Sequence, residues 1–146
     1  MRAIFVGMFC LVAAIGGYGF PANAAVIASC GPMKGYSYIY PHEPSGGIPG
    51  WKQGSLDTTT IFLGTDKVEE VVLKSKQGGE DWTRSASDYG APVIEVTRQG
   101  SIRHILIPWG PVTELYALDT EKKNLSLVSQ KSGLVKVTHA FVGKCE

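Results

Sequence analysis

The chain has 146 residues, 44% hydrophobic and 18% charged, a balance that excludes a disordered or supercharged polypeptide and fits one globular domain. Its 14 Lys and Arg stand against 13 Asp and Glu without a basic run, so nucleic acid is not an expected partner.

Residues 1–24 read as an export signal: Arg2 supplies the positive start, Ile4 to Ile15 an apolar run, and Ala22-Asn23-Ala24 a small-residue cleavage site. Residues 25–146 then form a single domain, periplasmic or secreted, with no membrane span after processing, because the apolar run is short and rich in Gly. Ile27-Ala28-Ser29-Cys30 also resembles a lipobox, which would make the protein an outer-membrane lipoprotein acylated at Cys30. Pro21 and Asn23, which separate Cys30 from the apolar run, speak for the soluble form. Loss of Cys10 with the signal leaves Cys30 and Cys145, an even pair in an oxidising compartment, and predicts one disulfide between them.

Along the mature chain, short apolar or alternating runs are separated by turn residues, and an all-β fold is expected. Tyr36 to Tyr40 reads as the first strand, its three tyrosines on one face as core. Pro41 to Ser55, rich in Pro and Gly, reads as a long loop. Thr58 to Leu63 and Val68 to Ser75 are the next strands, and Lys76 to Ala91 is a second long loop. Five strands follow in a meander: Val93 to Arg98, Ile102 to Pro108, Val112 to Leu118, Leu125 to Gln130 and Leu134 to Val142. Turns at Gln99-Gly100, Gly110-Pro111 and Ser132-Gly133 are too short for parallel crossovers, so these strands are antiparallel neighbours. About eight antiparallel strands fit a small barrel or a two-sheet sandwich.

Candidate chemistry is sparse. The Gly-rich stretch Ser45 to Gly50 lacks the Gly-Lys-Ser/Thr ending of a phosphate loop. Cys30-Gly31-Pro32-Met33 lacks the second cysteine of a redox motif. Gly-x-Ser-x-Gly and Ser-x-x-Lys are absent, and His42, His104 and His139 stand alone without metal-ligand spacing. No enzymatic activity, no cofactor and no metal are expected. Glu95 and Glu114 interrupt apolar strands, where alternation would turn them outward. Trp51, Trp82 and Trp109, with Tyr89, sit at loop or strand-end positions. The tryptophans either plug the open ends of the barrel as core or, with Tyr89, are the candidates for contact with a small apolar or sugar-like molecule or with an envelope protein. Long loops also leave open an inhibitor or accessory role.

The export signal, Cys30 followed by Gly35-Tyr36, the β-meander and the closing Phe141-Val142-Gly143-Lys144-Cys145 together resemble short exported bacterial proteins of β-meander type. The strand count also resembles lipocalin-type calyces, although Gly50-Trp51 departs from their Gly-x-Trp and lies after the first strand. What the resemblance implies is location and fold; it transfers no site.

Overall fold

The computed structural model describes residues 24–41, 48–77, 79–133 and 136–146. Nearly all of the expected signal, together with His42, Glu43, Gly46, Gly47 and Leu134, lies outside the described residues. Among the described residues, ten strands form one antiparallel sheet: β1 Ala25–Ile39, β2 Gly50–Leu56, β3 Thr58–Gly64, β4 Val68–Gln77, β5 Glu80–Ser85, β6 Ile94–Gln99, β7 Ile102–Pro108, β8 Val112–Asp119, β9 Asn124–Lys131 and β10 Val137–Cys145. A single 3-10 turn, Ser87–Tyr89, follows β5. The sheet runs β5-β4-β3-β1-β10-β9-β8-β7-β6, with β2 added on β1, and curls into a half-barrel. The fold is all-β as expected, with ten strands rather than eight and one curled sheet rather than a sandwich.

The two added strands lie in the segments read as loops. β2 and β5 are edge strands with one hydrogen-bonded neighbour each. An edge strand that packs inward at only a residue or two, such as Leu56 and Ser85, needs no apolar alternation and tolerates the glycines and charges of Gly50–Leu56 and Glu80–Ser85. β1 begins eleven residues before Tyr36 because its inward positions are small: Ala28 and Cys30 are buried, and an irregularity between Cys30 and Met33 resets the alternation. Its first half pairs with β3, its second half with β2, and its other edge with β10. Gly35 lets β10 approach: a Cβ there would stand 1.9 Å from the carbonyl oxygen of Ala140. At the tip of the β6–β7 hairpin, Gly100 adopts the left-handed φ of 59° that its turn requires.

Cys30 and Cys145 are register partners across β1 and β10, and their sulfurs are bonded at 2.03 Å. The concave face buries Met33, Phe62, Ile105, Ile107, Tyr116, Leu118 and Leu125, with Phe62 edge-on to Tyr116 at 5.5 Å. Each such side chain contributes about 1.5–3 kcal/mol of hydrophobic stabilisation. The tyrosine stripe does not join them. After the irregularity in β1, Met33, Gly35 and Ser37 point inward, and Tyr36 is 54% exposed on the opposite face.

The two ends of the curl meet through side chains. Glu95 of β6 accepts the N–H of Val68 at 2.9 Å and the Arg98 Nε–H at 2.8 Å, with Arg103 3.4 Å away. Arg98 and Arg103 also donate to the Asp66 carbonyl in the β3–β4 turn. Glu95 therefore faces this seam rather than solvent, correcting the outward expectation. Burial pushes its carboxyl up, but the Arg98 and Val68 hydrogen bonds and the two guanidinium charges outweigh it and hold it below the ordinary range. A depressed carboxyl adds stability above the unfolded-state pKa that disappears as pH falls through the folded one. Acid titration should therefore lower the protection of the Val68 amide and of β6 against exchange, relative to the intrinsic rate, before that of the β8–β9 ladder. In Glu95→Gln that early acid phase should be missing.

Candidate functional site

Three of the four aromatic candidates are brought together at one end of the half-barrel, and Arg84 joins them. Trp82 and Arg84 alternate onto the same face of β5, and the guanidinium carbon lies 5.2 Å from the Trp82 ring centre and 4.7 Å from that of Tyr89. Tyr89, in the 3-10 turn, stands edge-on to Trp109 with centroids 6.2 Å apart. Trp109, in the β7–β8 turn, packs against the core and donates its indole N–H to Glu114 Oε2 at 2.6 Å. Tyr116 donates its hydroxyl to the same oxygen at 2.5 Å.

Trp51 is elsewhere. It lies on β2, pairs with Tyr38, and is 60% exposed on the outward face, edge-on to the Tyr38 ring at 5.3 Å. Its placement on β2 rather than in a loop separates it from the mouth.

Next to this aromatic group, the concave face opens into a cavity of about 320 Å³. Glu114 links the two regions. Ser37, His139, Ser129, Lys131 and Glu114 supply its polar lining, and Leu56, Val112, Leu127 and Phe141 its apolar wall. Ser37 and His139 are register partners on β1 and β10, and Ser37 Oγ lies 2.7 Å from His139 Nδ1. The imidazole stacks on Phe141, centroids 5.5 Å apart and planes 22° from parallel. Gly54 of β2 closes one side, where a larger residue would approach the Phe141 ring.

The ionisable groups respond to this enclosure in opposite senses. Burial raises the Glu114 carboxyl above its ordinary range, against the hydrogen bonds of Tyr116 and Trp109 and the charge of Arg84, which lower it. Burial and the Lys131 ammonium depress the His139 imidazole, keeping it neutral near neutral pH. Burial first, then the charge and hydrogen bond of Glu114, raise the Tyr116 phenol. A neutral imidazole, a carboxyl that burial pushes up and an aromatic wall can hold a hydroxyl-bearing small molecule by directional hydrogen bonds and stacking.

Sequence reasoning missed Arg84, Ser37, His139, Lys131 and Glu114 as members of this site. Glu114 was expected to face outward, yet it shares parity with Val112, Tyr116 and Leu118, the inward residues of β8. The signal was therefore present in the phase of that strand, whose outward members include Leu115. Among the described residues no group of His, Cys, Asp and Glu could hold a metal ion, and no helix is long and apolar enough to cross a membrane.

Comparison with protein-family models, curated proteins and solved structures finds no match to this chain.

Proposed function

We propose that the protein is an exported binding module, periplasmic or secreted, that holds one small sugar-like molecule in the mouth cavity without turning it over. The observation that carries this is the concentration of polar side chains around an open space inside an otherwise apolar concave face. Burying such groups costs free energy unless they are hydrogen-bonded, and here part of their capacity faces the cavity. A volume of about 320 Å³ is at the small end of ligand pockets and suits a ligand of monosaccharide size. Export as a soluble protein is supported by the engagement of Cys30 in a disulfide, which leaves its sulfur no acyl group to carry.

Titration of Trp109 fluorescence with glucose, galactose and N-acetylglucosamine tests the proposal, with Glu114→Gln as the diagnostic variant. Burial raises the Glu114 carboxyl above its ordinary range, so its surroundings favour the neutral form. Glutamine should therefore raise the melting temperature at neutral pH, and the gain should vanish below the unfolded-state pKa, where the acid is protonated in both states. The same substitution should weaken sugar binding about tenfold or more, as expected when a carboxyl oxygen that accepts from a bound hydroxyl is replaced by an amide. Absence of any saturable response from all three sugars would sink the proposal.

A second reading, acyl transfer by Ser37, is favoured by the 2.7 Å contact of its hydroxyl with the neutral His139 in the same cavity. Stoichiometric labelling of Ser37 by a fluorophosphonate, lost in His139→Ala, would establish it in place of simple binding.

A further inference from the structure

The outward face of the sheet has an unusual composition across β6, β7, β8, β9, β10, β1 and β2. Antiparallel sheets packed on one side ordinarily present charged and polar residues on the other. Among the described residues, the outward strand positions of these seven strands carry charge only at Lys34, Lys144 and Asp119.

Register aligns the rest. Tyr36, Ala140, Val128, Leu115, Leu106 and Ile94 are successive cross-strand partners, one apolar row spanning six strands. Large side chains in it stand open: Val128 is 49% exposed, Ile94 43% and Leu115 41%. The neighbouring row contains Tyr38, Thr138, Gln130 and Thr113, neutral groups that both donate and accept hydrogen bonds. On the other side of the apolar row, a depression of about 790 Å³ has Ile102, Ala117 and Val142 in its floor.

We propose that this face docks on a second copy of the chain, forming a two-fold dimer independent of the mouth cavity. In a two-fold contact the same patch meets itself, so a charge near the axis faces its own like charge. A face that is apolar along its middle and flanked by amphiprotic neutral groups avoids that repulsion and can satisfy its own polar atoms. The few charges stand together at one end and include both signs. There Asp119 accepts from Ser101 Oγ at 2.9 Å, and Lys144 donates to Asn124 Oδ1 at 2.7 Å.

The dimensions agree with a dimer. Six interstrand steps of about 4.8 Å and the three spacings of about 6.8 Å between four side-chain rows give roughly 29 by 20 Å, or about 600 Å². Two such patches together bury about 1,200 Å², the lower end of the range for specific interfaces. The ridge of Tyr36, Val128 and Leu115 beside the depression supplies relief for two twisted sheets to interlock when aligned. A lipid surface is the poorer occupant: its tails could not pair the Thr and Gln row, and two lysines offer little attraction to anionic headgroups.

Sedimentation velocity over a wide concentration range, on protein exported with its own leader, is the test. The wild type should sediment as a dimer. Val128→Arg and Leu115→Arg, each at an exposed position, should keep the far-ultraviolet spectrum and weaken the dimer about a hundredfold or more, as for a charge buried without a partner. Lys74→Glu, at an exposed position on β4 away from this face, should leave the dimer intact. A wild type monomeric at every concentration, or a dimer unaffected by both arginine variants, overturns the proposal. So does a monomer that sediments instead with phosphatidylglycerol vesicles.

Discussion

Replacing Cys30 by Ser is expected to lower the unfolding free energy by about 4 kcal/mol while leaving the strand content unchanged. The bridge joins residues 115 apart, and closing a loop of that length removes entropy from the unfolded chain that the chain-entropy model sets at roughly 4–5 kcal/mol. Local structure already brings the two cysteines together without it. Cys30 and Cys145 are register partners, and Ser29 and Glu146 exchange backbone hydrogen bonds beside them, at 2.8 and 3.4 Å. Both thiols are buried, so the reduced protein keeps an apolar contact in place of the bond. The loss should therefore appear as a fall of roughly 10 °C or more in melting temperature with an unchanged circular dichroism spectrum. Reducing agent should reproduce the shift in the wild type and have no effect on Cys30→Ser. An equal melting temperature with and without reductant would show that the bridge adds nothing to stability.

The parts of the fold legible in the sequence were those where packing on one face imposes period two. β3, with Thr58, Thr60 and Phe62 inward, and the β6 to β10 meander fall within a few residues of where alternation and turn residues place them. β2 and β5 were not legible, because an edge strand open to solvent is under no such constraint and its composition resembles a loop. The phase of β1 was hidden differently. An irregularity between Cys30 and Met33 exchanges the two faces, and small inward residues such as Ala28 carry little hydrophobic signal. Tyr36, Tyr38 and Tyr40 consequently looked like core and form part of the outward face.

The site was half legible for the same reason. Trp82, Tyr89 and Trp109 stood out by residue type, and the structure gathers them at the mouth. Arg84, Ser37 and His139 belong to the site only through their neighbours across the sheet. Ser37 and His139 are separated by 102 positions and meet because β1 and β10 pair. Spacing along the chain cannot reveal such a contact; register can.

Glu70→Ala should be the most damaging single substitution away from the cysteines, at about 3 kcal/mol, and it should also disable the mouth. Glu70 is a carboxylate only 7% exposed, and its partners are backbone amides. It accepts from Val71 at 2.9 Å, Ala86 at 3.0 Å and Ser87 at 3.3 Å, the last reaching both oxygens. Alanine would leave the Val71 and Ser87 N–H groups without this acceptor, at about 1–3 kcal/mol for each that stays buried. The Ala86 N–H retains the Val71 carbonyl at 3.0 Å. Those amides open the turn that ends in Tyr89, so the carboxylate fixes where the tyrosine ring meets Trp109 and Arg84. Glu70→Gln keeps one acceptor oxygen and should recover part of the stability, whereas Glu70→Ala should both unfold earlier and leave Trp109 more open to a polar quencher in the folded state. A Glu70→Ala protein with wild-type melting and wild-type quenching would show that the β5–3-10 turn holds its shape without the buried carboxylate, and the coupling from core to mouth would have to lie elsewhere.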